Sequence, residues 1–168
     1  MSDVILLLYR IAMQLRRWHV PVLPVMIQYM IRLVFGCHIS LGARIGKYTH
    51  LAYGGLGTVI HSDCVIGENV YIGTNVTIGG RNGTGRVPVI RNNCFIGSGA
   101  KLLGSVVVGP DAVVGVNAVV LTNVPERSCA AGVPAKIIKT NINLSDYRLP
   151  QDMKHYSPQR ESRLTEGS

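Results

Sequence analysis

Aromatic residues are scarce: two Phe, one Trp and seven Tyr make up 6% of the 168-residue chain. A core built on large rings is therefore excluded, and Ile, Val, Leu and Ala must supply it. Charge is also thin, at 15% Asp, Glu, Lys and Arg where about a quarter is usual. With 47% apolar residues, disorder of the whole chain is excluded. Acidic residues are scarcest, nine against seventeen Lys and Arg, giving a net charge of +8. From residue 140 onward four basic residues balance four acidic ones, so the whole excess lies in residues 1–139. A basic balance alone admits nucleic acid, an anionic membrane or a phosphorylated ligand. Dense basic stripes interleaved with stacking aromatics are missing, so no nucleic-acid partner is expected.

The four cysteines, Cys37, Cys64, Cys94 and Cys129, form no CxxC pair and have no His at zinc-ligand spacing. No metal site is expected, and the thiols read as small apolar filler in a reducing compartment. No run is long enough to span a bilayer comfortably: Val20–Phe35 is interrupted by Pro21, Pro24 and Arg32. Met1–Leu8 lacks a basic start and a small-residue cleavage site after it. These absences predict a cytoplasmic protein, at the inner face of the membrane if the N-terminal segment touches lipid.

What is present is a repeat. Aliphatic-Gly pairs occur at Ile45, Ile66, Ile72, Ile78, Ile96, Val108 and Val114, in steps of six that are offset once, between Leu51 and Ile60. Ile39, Ile60, Ile90, Leu102 and Val120 extend it without the Gly. Four residues after each anchor stands a small or β-branched residue, such as Ala43, Cys64, Val76, Cys94, Ala100 or Ala118. Neither the helix period of 3.6 nor the strand period of 2 produces this. A three-sided coil does: each hexapeptide makes one short strand and one corner, the anchor fills the interior, and stacked coils bury one another's open faces. In this the chain resembles the hexapeptide-repeat acyltransferases, and the resemblance implies a mainly β fold, a left-handed parallel β-helix.

Val4–Trp18 and Val22–Phe35 read as two helices capping the open end of the coil. Their Arg10, Arg16, Arg17 and Arg32 also admit contact with a membrane surface. The domain reading is a helical cap over 1–36, a β-helix over 37–139 and a polar tail over 140–168, whose last fifteen or so residues are expected to be mobile. Two irregularities mark where function should sit. The step from Leu51 to Ile60 is nine, around Ala52-Tyr53-Gly54-Gly55-Leu56-Gly57. Between Ile78 and Ile90 the count of twelve holds without an internal anchor, which predicts a loop leaving the coil.

Val124-Pro125, then Ala131-Gly132-Val133-Pro134-Ala135-Lys136, closes the repeat region. With Val76-Thr77-Ile78-Gly79-Gly80 and Ile96-Gly97-Ser98-Gly99-Ala100-Lys101, it makes residues 36–139 similar to the serine acetyltransferase branch. That resemblance implies acetyl-CoA as acyl donor and a homotrimer, with a dimer of trimers left open. It also implies that the pantetheine arm lies outside the coil between two subunits, against Gly79, Gly80, Ser98, Gly99, Ala100 and Val116. Arg86, Arg91, Lys136 and Lys139 are candidate partners for the nucleotide phosphates.

Acetyl transfer to a hydroxyl needs a base and oxyanion donors. His38, His50 and His61 lie on the early coils, and His61 with Asp63 close by is the preferred base, His50 and His38 remaining alternatives. The backbone N–H of Gly80 or a neighbour is the candidate oxyanion donor. Cys64 and Cys94, at small-residue positions, point to direct transfer with no acyl-enzyme. The sequence departs from serine acetyltransferases in three places: Tyr53-Gly54 replaces their Asp-His pair, Val87 their loop His, and His38 falls near their orienting Asp. With only about 35 residues before the coil, it also resembles acetyltransferases of exopolysaccharide and capsule assembly. The expectation is an O-acetyltransferase with a saccharide acceptor, a small-molecule acceptor (serine) being the alternative and an inactive β-helix scaffold a further one.

Overall fold

A computed structural model describes residues 2–81 and 85–148. Two helices lead, α1 (Ser2–Arg17) and α2 (Leu23–Phe35). The first coil holds β1 (His38–Ile39), β2 (Arg44–Ile45) and β3 (His50–Leu51), and the second β4 (Val59–Ile60), β5 (Val65–Ile66) and β6 (Tyr71–Ile72). The third comprises β7 (Thr77–Gly79), β8 (Val89–Ile90) and β9 (Phe95–Ile96), the fourth β10 (Lys101–Leu103), β11 (Val107–Val108) and β12 (Val113–Val114). A partial last coil has β13 (Val119–Val120) and β14 (Ser128–Gly132), on which β15 (Ala135–Thr140) folds back antiparallel. Corresponding strands pair in parallel into three sheets: β1-β4-β7-β10-β13 (sheet A), β2-β5-β8-β11 (sheet B) and β3-β6-β9-β12-β14 (sheet C), to which β15 adds its antiparallel edge. The mainly β, parallel β-helix with a short helical cap is the architecture the repeat predicts.

The register explains the period. Ile39, Ile60, Ile78, Leu102 and Val120 stack in sheet A, each at most 1% exposed. Each such side chain contributes about 1.5–3 kcal/mol relative to exposure. The small residue four places later is also buried, as at Cys64, Cys94, Ala100 and Ala118, because the corner brings it inside the prism. Three places after an anchor the chain turns left-handed: Asn69 (φ 54°), Asn75 (57°), Asn93 (60°), Asp111 (57°) and Asn117 (54°). Asn and Asp tolerate that conformation best among residues with a Cβ.

The first coil has no coil beneath it, so its carbonyls need other partners. The helices supply them. Tyr9 Oη donates to Ala43 O at 2.8 Å and to Ser40 O at 3.1 Å. Arg16 Nη1 donates to Leu41 O at 2.7 Å and Gln28 Nε2 to Ile39 O at 3.1 Å. Ile5, Leu6, Tyr9 and Ile31 join the coil interior in one continuous core. Capping is thus both polar and apolar.

Residues 141–148 do more than a polar tail would. Ile142 and Leu144 pack with Val113, Cys129, Phe95 and Tyr147 on the outer side of sheet C. Arg148, 5% exposed, reaches Asn69. The stretch expected to be mobile lies outside the described residues.

Candidate active site

The prism has three edges and three faces, and the candidate residues are spread over both. Where sheet A turns into sheet B, the residue after each anchor is Ser40, His61, Gly79 and Leu103 in successive coils. His61 therefore lies directly below Gly79, and its backbone N–H donates to Ile78 O at 2.9 Å. Its side chain is 46% exposed. Nδ1 lies 3.8 Å from Asp63 Oδ2 and accepts from the Asp63 backbone N–H at 3.2 Å. Ser62 Oγ stands 3.4 Å from the same nitrogen and donates to Asp63 Oδ1 at 3.3 Å. From Gly79 the chain leaves the coil and returns at β8, as the missing anchor predicts; residues 82–84 of this loop lie outside the described residues.

The space beside Gly79 is specific. A Cβ added at Gly73, Gly97 or Gly109 would come within 2.5–2.6 Å of backbone nitrogen in the next coil. One added at Gly79 would meet nothing within 4 Å, and one at Gly80 only Val87 Cγ1 at 4.0 Å. Most Ile-Gly pairs therefore have their glycine because coils stack closely. The pair at Ile78-Gly79 has no such requirement, so its glycine keeps an outer surface open next to His61.

His38 stands on the outer side of sheet A one coil earlier, its Nε2 3.3 Å from Ser40 Oγ and its Nδ1 buried without a hydrogen-bond partner. It faces a groove of about 340 Å³ shared with Arg32, Gly57 and Val59. His50 is elsewhere. It lies on sheet C with its ring stacked on Tyr71 at 5.5 Å, and Tyr71 stacks on Phe95 at 4.9 Å. The structure thus brings His38, His61, Asp63, Gly79 and Gly80 to one side and leaves His50 on another.

The remaining candidates divide further. Ser98, Gly99 and Val116 line the edge between sheets C and A, with Ser98 Oγ accepting from Thr74 N at 3.2 Å. Ala100 is fully buried, so its methyl fills the prism and only its backbone remains for a ligand. Arg91 is exposed at the edge between B and C, Arg86 in the loop, and Lys136 and Lys139 on β15. One chain does not gather these positions.

The irregular step after Leu51 is a 3-10 turn, Ala52–Gly55, with Tyr53 (φ 49°), Gly54 (69°) and Gly55 (66°) left-handed. Tyr53 projects outward, 82% exposed. All four cysteines are buried and free. Burial pushes the thiols of Cys37 and Cys64 up to about 11 and that of Cys94 up to about 12. None is a thiolate near neutral pH, so none is set up as a nucleophile. Among the described residues no group of three His, Cys, Asp or Glu side chains could hold a metal ion.

One arrangement escaped the sequence reading. Asn69 Nδ2 donates to Asn93 Oδ1 at 2.9 Å, and Asn93 Nδ2 to Asp111 Oδ1 at 2.9 Å, inside the B–C edge. Their common offset of three from Ile66, Ile90 and Val108 was the available signal.

The family described as Bacterial transferase hexapeptide (six repeats) matches residues 88–122. A serine acetyltransferase of Helicobacter pylori is 38% identical over 138 residues, covering 79% of this chain and 78% of that protein. Another, from Synechococcus elongatus, is 33% identical over 79% of this chain but 55% of its own length. The solved serine acetyltransferase of Brucella abortus in complex with coenzyme A superimposes with a TM-score of 0.77 at 33% identity, covering 82% of this chain and 56% of that one. This chain therefore spans little more than half the length of the latter two. These relatives correct the saccharide acceptor expected from the short N-terminal region, since all three carry the name of the alternative, serine. The likeness runs through the β-helix that holds the site, whereas the length of the region before it says little about the acceptor. By this similarity, sustained over most of its length, the chain belongs to the serine acetyltransferase family of hexapeptide-repeat proteins.

Proposed function

We propose that this protein transfers the acetyl group of acetyl-CoA to the hydroxyl of serine. The observation that carries the reading is the open surface at Gly79–Gly80 beside His61, in a chain of this family. The likeness to a coenzyme A complex supports the donor. The serine oxygen attacks the thioester carbonyl carbon, the C–S bond breaks, and coenzyme A leaves as thiolate. His61 takes the hydroxyl proton and returns it to that sulfur. Nδ1 of His61 now accepts from the Asp63 backbone, which leaves the ring proton on Nε2. Work as a base through Nε2 requires Nδ1 to donate instead, and the Asp63 carboxylate is the acceptor at hand. A backbone N–H at Gly80 would hold the oxyanion. The protonated cysteines favour direct transfer over an acyl-enzyme.

The active form is a homotrimer in this reading. His61, Gly79 and Gly80 sit on the A–B edge and Ser98, Gly99 and Val116 on the C–A edge, so a pantetheine groove needs two chains side by side. Arg86, Lys136 and Lys139 then serve the nucleotide end. The test is release of coenzyme A from acetyl-CoA with serine as acceptor, alongside calorimetry with coenzyme A. Serine-dependent release supports the proposal. Coenzyme A binding without serine turnover overturns the acceptor, and absence of binding overturns the enzyme.

A further inference from the structure

Among the described residues, twelve of the twenty large apolar side chains left exposed fall between Val4 and Val34. Helix α2 shows why this is unusual. Its inner side buries Pro24 and Ile31, while Val22, Met26, Tyr29 and Leu33 form an outer stripe at helical spacing, 58–83% exposed. Only Gln28 and Arg32 are polar in this helix, and Gln28 is engaged with Ile39 O. A helix apolar on all sides is stable where something covers it. Helix α1 is divided instead: Val4, Leu7, Ile11 and Trp18 make one exposed stripe, next to a polar one of Asp3, Arg10, Gln14 and Arg17.

Charge selects the cover. Asp3 is the only acidic residue before Asp63, whereas Arg10, Arg16, Arg17, Arg32, Arg44 and Lys47 are basic. A second copy docked through these helices would set arginines against arginines with almost no carboxylate to meet them. An anionic lipid surface meets both needs, taking the apolar stripe into the acyl boundary and pairing the arginines with phosphates. A groove of about 330 Å³ between α1 and β2, lined by Arg10, Arg17, Arg44 and Gln14, offers a place for a headgroup phosphate. Trp18, 67% exposed at the end of α1, is a residue type that favours the membrane interface. No described helix is long and apolar enough to cross a membrane, so the hairpin would lie on the bilayer. We infer that the N-terminal hairpin is an interfacial anchor seating this protein on an anionic phospholipid bilayer. The inference is independent of the acceptor proposed above.

The experiment is co-sedimentation of the full chain with vesicles of phosphatidylcholine alone and of phosphatidylcholine doped with phosphatidylglycerol. Trp18 is the sole tryptophan, so its emission reports the hairpin directly. The expected result is binding to the doped vesicles only, with a blue-shifted Trp18 emission and release by salt. Arg10→Gln and Arg17→Gln should each weaken partitioning about five-fold, and Met26→Glu with Leu33→Glu should abolish it. The arginine variants alter exposed positions and carry the test if the glutamates disturb folding. Equal binding to neutral vesicles, or an unchanged Trp18 emission, overturns the inference. So does the finding that Leu33→Glu lowers the oligomer mass in light scattering while wild type ignores both vesicles, which would make the stripe a contact between copies.

Discussion

Arg148 donates through Nη1 to the carbonyl oxygen of Asn69 at 2.9 Å, joining positions 79 apart in the sequence. Nη2 reaches Asn69 Oδ1 at 3.3 Å, and the Asn69–Asn93–Asp111 column continues from there through three coils. A guanidinium thus closes one end of a buried amide column whose other end is a carboxylate. Arg148→Ala should lower unfolding stability in urea by about 1.5–3 kcal/mol, the range for a hydrogen bond to a charged group. Truncation after Tyr147, which also removes Arg148, should lower stability at least as much.

His61→Ala should lower turnover by about 10²–10⁴-fold, the usual worth of a general base, with coenzyme A affinity held. Steady-state kinetics and calorimetry check the two halves. His50→Ala, which alters a ring stacked on Tyr71 on sheet C, should keep substantial activity, as should His38→Ala. An active His61→Ala beside a dead His38→Ala would move the base one coil down.

Glycine substitutions separate folding from binding. Gly79→Ala places its Cβ in open space, so stability should stay within about 0.5 kcal/mol while the KM for acetyl-CoA rises. Gly97→Ala puts a Cβ 2.6 Å from Val116 N and should cost about 1–3 kcal/mol by overpacking. Thermal melts and KM values for both variants test the contrast.

A site shared between chains predicts complementation. Val116→Trp blocks the C–A edge and His61→Ala removes the base from the A–B edge. Each homotrimer should be inactive, yet unfolding and refolding the two together should restore part of the activity through mixed neighbours. Light scattering of an active monomer would contradict this.

Alkali should destabilise the fold. The thiols ionise near 9.0 when unfolded, but burial holds Cys37 and Cys64 protonated to about 11 and Cys94 to about 12. Between those values the unfolded chain has lost protons that the folded chain keeps. Stability from this source is complete below pH 9 and declines as pH rises towards 11. Melting temperature against pH should show the decline, and Cys94→Ala should make it shallower.

The period of six was enough to determine the β-helix, because an anchor such as Ile78 and a small residue such as Ala100 can recur at that spacing only if the chain coils with three sides. It likewise located both irregular segments, since a step of nine or a missing anchor cannot stay in the coil. The helical cap followed from an open end that needs cover. What the sequence could not determine was which edge each residue occupies relative to a ligand. Along the chain His61 is preferred for its place after an anchor and for Asp63 close by, but His38 and His50 stay open as alternatives. The register sets His61 under Gly79 and turns His50 towards Tyr71, because a rotation of one strand around the prism changes the sheet a side chain faces. Only the stacking of coils showed that the glycines of Ile96-Gly97 and Ile78-Gly79 serve different ends, one pressed against backbone and one facing open space. Arg148 was beyond sequence reading for the same reason: its partner Asn69 lies across the coil wall, and no local pattern encodes a hydrogen bond that exists only once residues 141–148 have folded back onto sheet C.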